Sequence, residues 1–328
     1  MKKVYFVFLA AISTFNIYAQ VNPLTEKEKE ELEKKLQAQA LINDSLVWKK
    51  GGLLGLNFSQ VQLVNWAGGG NSTMAATGIL NLYAGYKKNN TTWDSSLDMA
   101  YGLISQNNAP FFKSDDRIEI NSKYGHKASE KLYYAGLFNL RTQFAPGYNT
   151  PADTVFISNF LVPAFSILAL GFDYKPTKHL TFFLSPATIK TTVVNDQRLA
   201  DAGAFGVQKA EIDSFGVKIV DGKKIRHEAG AFFKMMYKKE DIVKNVNLMT
   251  RIDLFSNYFN NPQNIDVNWE LLISMKVNKY LSASISTLLI YDDDIQIAVD
   301  TNNDGILDGS GPRIQFREVL SIGLSYKF

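Results

Sequence analysis

No cysteine occurs anywhere in the 328 residues. That rules out disulfides and an acylated lipoprotein cysteine, and it fits an oxidising compartment or the cytosol equally well. Imidazole is almost as scarce, with His126, His179 and His227 the only three. Beyond the first twenty residues no apolar run approaches the roughly 18 residues that a membrane helix needs. If the mature chain crosses a bilayer it must therefore do so as strands, the other arrangement that satisfies backbone polar groups in lipid. Charge of either sign is nearly balanced, 35 Lys and Arg against 32 Asp and Glu, which speaks against nucleic acid as a partner. What is abundant, 46% apolar and 12% aromatic residues, fits one large β domain.

Lys2 and Lys3, the apolar run Val4 to Leu9, and Ile17-Tyr18-Ala19 before Gln20 have the three-part layout of a cleavable secretory signal. Residues 1–19 are therefore expected to be removed. Residues 20–50 follow as a periplasmic helical segment: Thr25 and Glu28 have capping-box spacing, and Leu32 and Leu36 share a narrow stripe. Such a helix either grips a partner or plugs the barrel, or it is a solvated tether whose Glu and Lys support each other at helical spacing.

From about Gly52 the pattern turns to period two, and residues 51–328 read as one barrel. The closing stretch is the clearest: Leu320, Ile322, Leu324, Tyr326 and Phe328 alternate with Ser321, Gly323, Ser325 and Lys327, a strand with a different solvent on each face. Its terminal Tyr-x-Phe suits an outer-membrane barrel and is similar to the signature read by the barrel-assembly machinery, which makes that machinery an expected partner beside the lipid. Strands are predicted at about 52–65, 73–86, 91–104, 114–127, 131–144, 161–175, 179–193, 224–238, 242–258, 265–278, 280–296 and 313–328. The connections run long, short, long, short throughout. An even strand number and that alternation independently place both mature termini in the periplasm. The expected fold is thus an all-β transmembrane antiparallel β-barrel of about twelve strands, in the outer membrane, with a short N-terminal periplasmic helix. Outward aromatics sort to strand ends, Tyr86, Trp93, Tyr124, Tyr134, Tyr174 and Tyr237 beside short turns, Phe144, Tyr258, Trp269, Tyr291 and Phe316 beside long loops, as two headgroup belts do.

Inward positions carry charge of both signs. Asp94, Asp98, Glu119, Glu228, Asp253, Asp266 and Glu270 stand against Arg117, Lys123, Arg141, Lys234, Arg251 and Arg317 as the expected lumen lining. Such a wall either filters small polar solutes through a narrow pore or pairs across the lumen and fills it.

In the last long loop Asp300, Asn302, Asp304 and Asp308 fall at positions one, three, five and nine of a calcium loop, with Gly305 at six and the Ile306 carbonyl at seven. Position twelve is Gly311 and offers no carboxylate, although Asp292, Asp293 and Asp294 lie upstream; the alternative is a solvated acidic turn. Beyond this possible structural Ca2+ no cofactor is indicated. His227 and Ser256, outward on neighbouring strands, resemble the pair of an outer-membrane phospholipase, but Glu228-Ala229-Gly230 after the His departs from that pattern. The loop Asn65-Trp66 with Gly68-Gly69-Gly70 lacks the strand-to-helix setting of a phosphate loop. The fourth long loop, about Val194 to Lys223, has its own alternation at Phe215 to Val220 and is expected to form a hairpin at the mouth.

Leu56-Asn57-Phe58-Ser59-Gln60, the Asn65-Trp66 loop, Tyr291-Asp292-Asp293, Gly311 to Glu318 and the closing Gly323 to Phe328 together resemble the Bacteroidetes "domain of unknown function 3078" family, over about Trp48 to Phe328. The resemblance implies an outer-membrane protein with a signal peptide and brings no catalytic residue, substrate or cofactor. Three functions follow as expectations: a narrow channel or transporter for small polar solutes; a closed structural or interaction barrel; and, least supported, a lipid hydrolase, so that no enzyme is expected.

Overall fold

The computed structural model describes residues 47–63, 71–107, 109–148, 150, 152–278, 280–299 and 308–327. The expected N-terminal helix, the Trp66 glycine loop and Asp300, Asn302, Asp304 and Ile306 of the calcium-like loop lie outside these residues.

In chain order the strands are β1 (Trp48–Val61), β2 (Thr73–Lys88), β3 (Thr91–Gln106), β4 (Phe112–Lys127), β5 (Leu132–Thr142), β6 (Ala164–Tyr174) and β7 (Leu180–Val193). A short helix α1 (Gln197–Asp201), a 3-10 turn (Ala204–Gly206) and the small strands β8 (Glu211–Ile212) and β9 (Lys218–Val220) follow. Then come β10 (Ile225–Val243), β11 (Val246–Asn257), β12 (Ile265–Lys276), β13 (Leu281–Tyr291), β14 (Ile297–Val299), β15 (Gly309–Gly311) and β16 (Gln315–Lys327). Twelve of them close into one antiparallel barrel, β1-β16-β13-β12-β11-β10-β7-β6-β5-β4-β3-β2, while β8-β9 and β14-β15 are separate hairpins in long loops.

Each barrel strand corresponds to one read from the alternation. The final strand closes the cylinder against the first, Leu54 opposite Tyr326 and Leu56 opposite Leu324, so no edge of the sheet is left unpaired. Leu54, Leu56, Leu170, Leu184, Leu320, Ile322 and Leu324 point away from the lumen, and each is more than half exposed. An apolar exterior around a charged interior is the reverse of a water-soluble barrel. Aromatic rings gather on the outside near the short turns, Trp48 with its ring centroid 5.0 Å from Tyr86 and 6.5 Å from Trp93, and Tyr134 5.8 Å from Phe172.

Strand ends differ from expectation where a side chain has a competing partner. β13 stops at Tyr291 instead of about 296, because Asp292 accepts the Asp294 backbone N–H at 3.0 Å and is bonded by Lys190 Nζ at 2.9 Å, and an Asx turn ends the ladder. β7 contains Pro186, which can donate no ladder hydrogen bond. The strand bulges there: pairing with β6 and with β10 slips by one residue, and the single Ser185 hydroxyl proton lies between the carbonyls of Leu170, 2.8 Å from Oγ, and Ala187, 2.9 Å from it. Gly171 and Gly230 flank the bulge on either side, and a Cβ on either would sit 2.0 Å from a backbone oxygen.

Candidate functional site: a divided lumen

A strut of charge crosses the barrel. Arg251 on β11 donates to Glu119 on β4 at 2.9 Å and to Glu270 on β12 at 2.8 Å, with Arg117 of β4 3.8 Å from Glu270. β4 stands nearly opposite β11 and β12 in the barrel order, so these contacts span the lumen and divide it. Asn139 Nδ2 donates to Glu119 at 3.0 Å, and Asp253 takes Arg251 Nε and Lys234 Nζ at 3.4 Å each. A guanidinium can serve several carboxylates at once because its donors lie in a rigid planar fork.

On the side of β5, β6, β7, β10 and β11 the interior is filled by side chains except near the short turns. Ala135, Leu137, Ala169, Phe183, Phe232 and Phe255 form a buried apolar cluster, with the rings of Phe183 and Phe232 6.3 Å apart. Above it, toward the long loops, Lys190 is bonded to Asp266 at 2.6 Å and Asp292 at 2.9 Å, with Glu228 at 3.7 Å, and its ammonium lies 5.3 Å from the Phe255 ring. Arg226 links Glu228 at 2.8 Å to Asp294 at 3.1 Å. Arg141 lies over the Phe165 ring at 5.4 Å.

The other side, walled by β1, β2, β3, β12, β13 and β16, is hollow, and the hollow extends past β4 to Thr181 of β7, Met236 of β10 and Met249 of β11 near the short turns. A cavity of about 980 Å³ runs along it, lined by Ser96, Ser282, Ser284, Ser286, Ser321 and Ser325 between the aliphatic side chains of Leu53, Ile79, Leu272 and Val319. At the short-turn end Lys175, Thr177, Lys178 and Lys238 line it. Toward the long loops Arg317 on β16 reaches Asp115 on β4 at 2.8 Å, a second bar over the hollow side.

Of the thirteen charged residues read from the sequence as lumen lining, the structure places Asp94, Asp98, Arg117, Glu119, Lys123, Lys234, Arg251, Glu270 and Arg317 on the wall of this cavity. Asp98 accepts from Asn81 and Ser96, and Lys123 reaches Asp173 at 2.8 Å. Arg141, Glu228, Asp253 and Asp266 are absent from the wall and belong to the packed side. Lys190, the hub of that side, was missed by the sequence reading. A count of two from Phe183 puts Lys190 outside, and the extra residue at Pro186 returns it to the interior. Phe183, Phe232 and Phe255 were also missed, although the parity that puts Lys234 and Arg251 inside puts Phe232 and Phe255 inside as well.

The long loops after β5 and β7 pack together. Val162, Val194, Leu199, Ala200 and Val207 form a second apolar cluster with Phe156 and Phe205 against it. Helix α1 starts at Asp196, whose side chain accepts the Leu199 N–H at 2.9 Å, an N-cap that the sequence reading overlooked. Lys218 of the expected hairpin holds Asp201 at 2.6 Å. Hydrogen bonds from Lys218, Gln197 and the Gly222 N–H hold the Asp201 carboxyl down at about 2, and the bond to Asp201 raises Lys218 to about 12.

The hydrolase pair is not assembled. Ser256 lies opposite Ala231, four residues along β10 from His227, and its hydroxyl donates to the Pro262 carbonyl at 2.7 Å. His227 Nδ1 is 2.9 Å from Thr191 Oγ1. Among the described residues no cluster of three or more His, Asp or Glu has the arrangement of a metal site.

Residues 58–148 match the family described as "Protein of unknown function (DUF3078)". The match runs from the end of β1 into the loop after β5 and agrees with the resemblance read from the sequence; the quoted motifs near Tyr291, Gly311 and Gly323 lie beyond it. No curated protein matches the chain. Solved structures that it is similar to include the translocator domain of the autotransporter NalP from Neisseria meningitidis, at 11% identity over 92% of this chain and 96% of that one, TM-score 0.36. An outer membrane channel from Pseudomonas putida F1 gives 11% identity, 86% and 96% coverage and TM-score 0.39. A NanC porin gives 9%, 84%, 97% and 0.34.

Proposed function

We propose that the chain is an outer-membrane barrel that passes small solutes with polar groups along the hollow side of its lumen, with its short turns and both termini in the periplasm. The observation that carries this reading is the strut of Arg251, Glu119 and Glu270, which braces the packed side and leaves a cavity of about 980 Å³ beside it. The exposed leucine wall and aromatic rings near the strand ends support lipid as its surroundings. The alternation of short turns with long loops supports the orientation, and the paired closing strand β16 is the element that the assembly machinery would recognise.

Purified barrel in planar bilayers should give discrete single-channel steps. Ser284→Trp and Ser321→Trp, each filling the hollow side, should cut the conductance by more than half while the barrel still folds. A bilayer that stays silent with folded wild-type protein would overturn the reading. It would favour instead a closed interaction barrel, for which the packed loops after β5 and β7 supply a compact external surface.

A further inference from the structure

We propose that the hollow side selects small organic anions, a carboxylate or phosphate head on a short apolar body; this rests on the channel reading above. The argument is an account of which polar groups on the cavity wall are already engaged. The carboxylates are nearly all committed: Glu119 and Glu270 to Arg251, Asp115 to Arg317, and Asp98 to Asn81 and Ser96. Asp94, exposed near the short-turn end, is the carboxylate of the wall with no side-chain partner among the described residues.

The donors are not used up in the same way. Lys178 and Lys238 line the short-turn mouth, both exposed and neither in an ion pair among the described residues. Two further ammonium groups, Lys123 and Lys175, share the single carboxylate of Asp173 at 2.8 and 3.3 Å. Further in, the hydroxyls of Ser284, Ser286 and Ser321 line the wall without a side-chain bond among the described residues. The mouth therefore has an excess of positive charge, and low-dielectric walls focus such a field along the passage. Behind it stand hydroxyls able to donate to an anion in transit. Leu53, Ile79, Leu272 and Val319 interleave with these serines, and an aliphatic wall gains contact with a solute that carries an apolar body. A cation entering from this end meets the lysines first and one free carboxylate.

The test is the reversal potential of the purified barrel in a KCl gradient kept near 0.1 M, where the Debye length is about 10 Å and wall charges are felt. Chloride should permeate several-fold better than potassium. Lys178→Glu with Lys238→Glu, both exposed and outside the strut, should lower that ratio to about one or below. Asp94→Asn should raise it, and Lys244→Glu on the β10–β11 turn should leave it nearly unchanged. Hexanoate added on the short-turn side should slow the chloride current more than equimolar acetate. A conducting barrel that prefers potassium, a double variant with unaltered selectivity, or equal effects of hexanoate and acetate would each overturn the inference while leaving the channel reading in place. A folded barrel that does not conduct would overturn the channel reading itself.

Discussion

The two sides of the lumen belong to one ring of strands with the same alternation, yet one is packed and the other hollow. On the packed side the inward positions of β7, β10 and β11 carry Phe183, Phe232 and Phe255, and the charges above them are engaged by one another. On the hollow side the corresponding positions of β13 and β16 carry Ser282, Ser284, Ser286, Ser321 and Ser325. Side-chain volume decides the difference, since a barrel of given strand number has a fixed lumen that its inward residues either fill or leave open. The strut between them separates a filled half of the cylinder from a hollow one.

Breaking the strut should have the largest effect. Arg251→Ala leaves Glu119 and Glu270 in the interior without their main cation, and removing one partner of such a network costs about 3–5 kcal/mol. Urea unfolding of the barrel in lipid vesicles, followed by its gel mobility, should show the loss. Phe232→Ala removes a ring from the apolar cluster and should cost about 3 kcal/mol in the same assay. Its counterpart on the hollow side, Ser321→Ala, should stay within about 0.5 kcal/mol. Equal losses in these two variants would remove the distinction between the sides.

The smallest effect concerns the external hairpin. Asp201 lies at about 2 in the folded protein, below its usual 3.8, and Lys218 at about 12, above its usual 10.5. The unfolded chain holds the Asp201 proton more tightly, so this contribution is complete above about pH 4 and is lost as pH falls through 2. For Lys218 the sign reverses: the contribution is complete below about pH 10 and is lost as pH rises through 12. In a pH titration the Gly222 amide resonance, whose N–H donates to Asp201 at 2.8 Å, should shift with a midpoint near 2. Asp201→Asn should abolish that step.

Strict alternation along stretches such as Ile265 to Lys276 and Leu320 to Lys327 made the strands, their number and the inward side of most of them legible. The same count placed Arg251, Glu119 and Glu270 inside. It failed at Lys190, because a bulge of one residue at Pro186 reverses the parity of the rest of β7. Phe232 and Phe255 escaped it because each stands beside an apolar neighbour, Phe233 and Leu254, so that hydropathy there does not alternate. The short helix α1 and the hairpin β14-β15 went unread, being too brief to show a period.

The amino-acid order by itself determined a closed antiparallel cylinder with an apolar exterior, since period two and twelve strands leave the backbone polar groups no other way to be satisfied in lipid. Only the tertiary structure decided which side of the lumen is filled. Arg251 and Glu119 lie 132 residues apart in the chain, and no local pattern states that closure brings them within hydrogen-bonding distance across the lumen.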